Sequence, residues 1–363
     1  MKKISLLALV LALLPTFTLA QQPHQPILRA EKSNTYQLLI AVSPVNDQIV
    51  WAAGAGGTYA LTTDGGTTWT SGTVPGAEAL QFRDVQGVSD KVAYLMSIGN
   101  NTPNFEIYKT SDGGATWQLD FMNTLANAFY DCMAFWQPNR GIAHSDSVNG
   151  IFPDIETTDG TNWFSIASDM PPALPGEASF SSSGTCITTQ GENNAWITTG
   201  GGTIARILAT TDGGSTWNAY NTPLASNPNA GGFSVAFRDA SNGIVGGGDL
   251  SVNNHAEAAV SRDGGQTWNL TTKPPVGGAI FALAYANGMT LNGPAADPTY
   301  ERTVVITGEA GPNFNTGAAA WTPDEGATWY PLPTVSGYWA VAFANPHAGW
   351  FVGNNGQILK ISF

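Results

Sequence analysis

Charge is scarce in this sequence: 11% of its 363 residues are Asp, Glu, Lys or Arg, against roughly a quarter in an average soluble domain. That shortage excludes a long coiled coil or helical repeat, whose solvent faces need abundant Glu, Lys and Arg. Basic residues are the rarer sign, 14 Lys plus Arg against 27 Asp plus Glu for a net charge of −13. Nucleic acid is therefore not an expected partner, because phosphate binding needs a basic face, and anionic membranes are disfavoured for the same reason. Cysteine is limited to Cys132 and Cys186. There is no Cys-x-x-Cys, Gly-x-Ser-x-Gly or phosphate loop, and the four histidines show no metal-ligand spacing, so neither metal nor cofactor is expected.

Long apolar runs are missing too, except at the start. Residues 1–20 carry Lys2 and Lys3, an apolar stretch from Ile4 to Leu14, and then Thr18-Leu19-Ala20, small at both positions that signal peptidase reads. We expect a secretory signal over 1–20, cleavage before Gln21, and a secreted or periplasmic protein without a membrane-spanning segment. Loss of Lys2 and Lys3 takes the net charge to −15.

Present in abundance are 42 Gly, 22 Pro and 38 aromatic residues, the composition of a turn-rich, all-β chain. One phrase dominates: Thr62-Thr63-Asp64-Gly65-Gly66-Thr67-Thr68-Trp69. It returns around Asp112 and Trp117, Asp212 and Trp217, and Asp263 and Trp268. Asp324 and Trp329 belong to a copy with Glu325 in place of the first Gly, and Asp159 and Trp163 to a copy one residue short. Successive Trp spacings of 48, 46, 54, 51 and 61 residues mark a repeat array of propeller-blade size. Between copies, residues 233–237 and 243–247 alternate like strands around a polar turn, 256–260 form a third, and a fourth starts at Trp268.

Six copies define six blades. After Trp329 three more strands are legible, at 338–344, 349–353 and 357–362, and then the chain stops. Residues 26–34 have no place in the first blade, so they are expected to supply the fourth strand of a seventh blade and close the ring. The fold class expected is therefore one seven-bladed β-propeller domain over 21–363, about 48 residues per blade.

The phrase explains itself without a ligand: Asp accepts backbone N–H groups of a tight turn, Gly supplies positive φ, hydroxyls tie the ends and Trp packs between sheets. In the form Ser/Thr-x-Asp-x-Gly-x-Thr-Trp it resembles the Asp-box, or bacterial neuraminidase repeat. That resemblance places the box on the turn from third to fourth strand, away from the functional face. Together with Phe82-Arg83-Asp84, Phe237-Arg238-Asp239 and the run from Gly349 to Lys360, the grammar is similar to the photosystem II stability/assembly factor-like propellers. It implies a non-catalytic binding or assembly scaffold, expected as a monomer. More distantly it resembles the sialidase superfamily, whose members need three converging arginines. Arg83 and Arg238 both fall where a first strand runs toward the box face, which makes such a triad hard to build.

The opposite face is where a protein or glycan partner is expected. Its long loops offer Asn104, Phe105, Asp146, Asp249, His255, Asn313 and Phe314 as a binding surface. The alternative is a carbohydrate-active hydrolase drawing its acids from Asp146, Asp154, Asp249 and Glu309, which requires two carboxyls facing each other. Asp146-Ser147-Val148-Asn149 resembles part of a calcium loop but lacks the later bidentate acid. Cys132 and Cys186 fall on innermost strands of neighbouring blades. Pairing stays open, because aligning them beside Ser234 and Val235 offsets them by one residue and points them to opposite faces.

Overall fold

Alternating small and apolar residues split by Gly-rich turns favour short antiparallel strands, and the chain folds into seven sheets of four. A computed structural model describes residues 25–98, 105–252, 255–288, 297–308 and 318–363; the signal expected over 1–20 lies outside them. Blade one is built from Leu39–Pro44, Val50–Gly54, Thr58–Thr62 and Thr70–Thr73, and five further blades repeat that order. Blade seven takes Tyr338–Asn345, Ala348–Gly353 and Gln357–Ser362 from the C-terminus. Its fourth strand is Ile27–Lys32, running antiparallel from Ile27 opposite Ser362 to Lys32 opposite Gln357. Joining the two ends of the chain in one sheet removes the edge that an open ring would expose. Innermost strands touch in a closed circuit, blade one against both two and seven.

Apolar layers fill the spaces between blades, with Trp51, Trp196 and Trp350 wholly buried on second strands. The repeated turn fastens six of the seven blades at their outer corners. Thr68 donates to Asp64 twice, from its N–H at 2.8 Å and its hydroxyl at 2.6 Å, while Gly66 N–H donates to Thr62 Oγ1 at 3.0 Å. The same bonds recur at Asp112, Asp212 and Asp263; at Asp159 the partner is Asn162, and at Asp324 it is the Thr328 N–H. Threonine hydroxyl bonds hold the Asp64, Asp112 and Asp212 carboxyls below their ordinary range. Trp69 adds a link across the ring closure, donating to Glu31 at 2.9 Å.

Register corrects two expectations. Cys132 and Cys186 are both three residues before the position that pairs outward to the repeated turn, Phe135 and Thr189 respectively. They are equivalent, the one-residue offset disappears, and the two form a disulfide with Cα atoms 5.9 Å apart. The Phe-Arg-Asp phrases, in contrast, are not equivalent. Phe237 is at the end of its strand, opposite Gly243, whereas Phe82 is at the other end, opposite Ser97. Arg83 therefore belongs to the face away from the repeated turns, and Arg238 to the face that carries them.

Candidate functional site at the channel mouth

A propeller's blades are repeats, so positions where they stop resembling one another are the places to look for function. One such position stands out. In six blades the innermost strand has a register shift near its entry, between Leu39 and Ala41, Phe82 and Asp84, Tyr130 and Cys132, Gly232 and Ser234, Ile280 and Ala282, and Tyr338 and Ala340. The extra residue of a β-bulge is re-aimed out of the pleat. The bulged residues are Ile40, Arg83, Asp131, Phe233, Phe281 and Trp339, and Thr185 takes the corresponding place in blade four. Of these, Arg83, Trp339, Phe281 and Phe233 touch one after another on the face opposite the repeated turns. The Arg83 guanidinium lies 5.5 Å from the Trp339 ring centre, and Phe281 packs on Trp339 at 5.3 Å. Arg83, Phe281 and Trp339 are half-buried.

A segment entering blade four closes the channel beneath this ring. Phe180 stacks on Phe233 at 4.0 Å. Arg83 donates to the Ser181 carbonyl at 2.9 Å, and the Ser182 and Ser183 hydroxyls donate to the Phe281 carbonyl at 2.8 and 2.7 Å. Gly184 sits against the Asp84 carboxyl with φ +75°; a Cβ there would come within 2.5 Å of it. On the other side of this segment lies a cavity of about 480 Å³, lined by Gln137 and Gln190 and by Asp84, Ser183 and Gly184.

The loop residues singled out from sequence are largely committed to internal contacts. Asp154 is 0% exposed, accepting from Ser145 N–H at 2.9 Å and bonded to His144 Nδ1 at 2.8 Å. Asp249 accepts from Ser251 and from Asn227; burial alone would raise its carboxyl, but these bonds hold it below the usual range. His255 is exposed beside Glu257 in a small cavity. Phe105 is in the core against Phe129 and Tyr130, not on the surface, immediately before the third strand of blade two, Glu106–Thr110. Asn104, Glu309, Asn313 and Phe314 lie outside the described residues. Among the described residues no three His, Cys, Asp or Glu side chains are grouped to hold a metal ion.

Asp146 is the exception, because it belongs to a buried acidic group on the edge of the ring. Its carboxyl accepts the Ser179 N–H at 2.8 Å and adjoins Asp131, which is 1% exposed and, among the described residues, has no donor for Oδ2. Burial first, and then the Asp146 charge, pushes the Asp131 carboxyl well up; Arg83 opposes the shift. Burial also raises Asp146, against the pull of the Ser179 bond. Asp146 further borders a groove of about 480 Å³ with Asn149, Leu174 and Pro175.

Three arginines do converge, but elsewhere. Arg238, Arg262 and Arg302 surround the buried Glu325 carboxylate at 2.8, 2.6 and 3.0 Å on the face of the repeated turns, and Tyr285 donates to it as well. The site is filled by the chain's own acid.

These features define a seven-bladed β-propeller whose blade-specific chemistry gathers at the mouth of a sealed channel. No family model matches the sequence, and no curated protein matches it. Among solved structures the chain is similar to YCF48 bound to a D1 peptide, with TM-score 0.65, 16% identity, and coverage of 96% of this chain and 99% of that one. It is similar to YCF48 from Cyanidioschyzon merolae, at TM-score 0.63 and 16% identity over 92% of this chain and 98% of that one. It is also similar to the GH74 xyloglucanase from Xanthomonas campestris, at TM-score 0.62 and 13% identity, covering 92% of this chain and 53% of that one. At such identities the likeness concerns the fold.

Proposed function

We propose that the protein is an exported binding or assembly scaffold, its leader removed after residue 20, which holds a protein segment on the face opposite the repeated turns. One observation carries the reading: the bulge ring offers half-buried Arg83, Phe281 and Trp339 together over a channel sealed by the chain itself. Aromatic and Arg side chains at the centre of a shallow patch are the residue types that dominate protein-binding energetics. The peptide in the YCF48 structure is in keeping with this reading, and glycoside hydrolysis is the rival that the GH74 likeness brings in.

One screen tests both. Mature protein, residues 21–363, is applied to a peptide array, a glycan array and chromogenic glycosides. Alongside run a Phe281→Ala/Trp339→Ala variant and one with Asp146, Asp249 and Glu309 changed to Asn or Gln. The scaffold reading expects peptide binding that falls at least ~10-fold in the aromatic variant, the loss of about 1.4 kcal/mol. Glycoside turnover that vanishes in the still-folded carboxylate variant would replace the scaffold with a hydrolase.

A further inference from the structure

The segment that closes the channel is a strap with fixed ends. At residue 177 the Glu177 carboxylate is held by Arg206 Nε at 2.8 Å and Nη2 at 2.5 Å, and at residue 186 the chain is stapled by the Cys132–Cys186 disulfide. Between these anchors two of the strap's backbone groups are held by charged side chains. Asp146 accepts the Ser179 N–H, and Arg83 donates to the Ser181 carbonyl. Asp131 is in electrostatic contact with both of these side chains.

The orphaned oxygen of Asp131 shows how this arrangement is completed. Among the described residues Asp131 Oδ2 is buried without a donor, and the side chain that Asp131 adjoins, Asp146, is another carboxyl. Two acceptors in contact satisfy each other only when one proton lies between them. With that proton the pair carries a single negative charge, which Arg83 opposes from blade two. Without it two negative charges share a buried site, already bordered by Asp154, with His144 facing Asp146. The least costly relief is hydration of the pair, and the strap amide bonded to Asp146 lies in the way.

We propose that one proton shared between Asp131 and Asp146 latches the strap over residues 178–184, and that losing it as pH rises loosens the strap and remodels the channel mouth. The consequence for partner binding rests on the scaffold reading above; the latch itself does not. Its sign follows from linkage. Both carboxyls are raised in the fold, so the native state holds the extra proton, and the stabilisation it brings fades as pH rises from the ordinary Asp range through the raised one.

Amide hydrogen exchange of residues 178–184, corrected for intrinsic rates, tests this on the intact chain at about pH 5 and about pH 8. In the wild type protection is expected to drop by ~10-fold or more at the higher pH. Asp131→Asn supplies a permanent neutral donor to Asp146 and is expected to abolish that drop. The infrared band from protonated carboxyls at about pH 5 should be weaker in the variant by one carboxyl, with the share of Asp84 and Asp120 retained in both proteins. Equal protection at both pH values in the wild type would overturn the latch. So would a pH response that survives undiminished in Asp131→Asn, since it would then belong to another group, Asp84 against Gly184 being a raised carboxyl in contact with the strap. Should Asp131→Asn fail to fold, Asp146→Asn applies the same test from the other carboxyl, and the wild-type comparison stands alone. Failure of peptide binding with a pH-dependent strap would count against the scaffold reading and leave the latch intact.

Discussion

Two buried ionic groups sit on opposite faces of this propeller and are solved in opposite ways. Around Glu325 three arginines and a tyrosine hydroxyl converge on one carboxylate. Burial would raise that carboxyl, but the arginine bonds outweigh it and hold it below the ordinary Glu range. Around Asp131 the count is reversed: three carboxyls, with one arginine opposing them, leave an acceptor unpaired and push the acid up. A buried ionic group whose bonds are complete acts as a fastener, and Glu325 ties blades five and six at the cost of a positive φ of 56° where the other full-length turns have Gly. An incomplete group stores a dependence on protons, and this one sits where the blades diverge in sequence.

The largest expected effect lies beside the unbalanced group. Cys132→Ser, or reduction, opens a cross-link spanning 54 residues, for which loop-closure entropy gives about 4 kcal/mol; denaturant unfolding with and without reductant measures it. Removing the acid from the balanced group comes next. Glu325→Ala should cost roughly 2–3 kcal/mol, less than a fully buried pair because Arg262 and Arg302 reach solvent. Glu325→Gly, which relieves the φ, should still destabilise, and gain of stability in that variant would show that strain outweighs the ion pairs. Because the Glu325 carboxyl is lowered in the fold, its contribution is present above the ordinary Glu range and disappears as pH falls through the lowered one. Acid titration of stability should therefore flatten in Glu325→Ala. Smaller still is Asp212→Ala, which loses both Thr216 bonds in one turn of six; we expect a fall of a few degrees in Tm with peptide binding unchanged, measured by thermal melts and the array.

Much of the architecture could be read from residue spacing alone. Six turn phrases and three unassigned strands after Trp329 implied seven blades, and residues 26–34 had nowhere else to pair. The ring of bulged residues could not be read in the same way. A bulge adds one residue to a strand without changing local composition, so Phe82-Arg83-Asp84 and Phe237-Arg238-Asp239 look alike although they lie at opposite ends of their strands. Convergence of Arg238, Arg262 and Arg302 on Glu325 joins residues up to 87 apart, and the signal for it was a single irregularity, Glu325 in place of a turn glycine. Asp146 was identified from its loop, but its partner Asp131 carries no motif at all.

Equilibrium unfolding of the wild type and Asp131→Asn from about pH 5 to about pH 8 tests the contrast between the two groups most directly. The account predicts a wild-type stability that declines with pH more steeply than that of the variant, in which Asp84 and Asp120, both raised by burial, still titrate. Parallel curves for the two proteins would contradict it, because the carboxyl group of Asp131 would then hold no proton that the fold depends on.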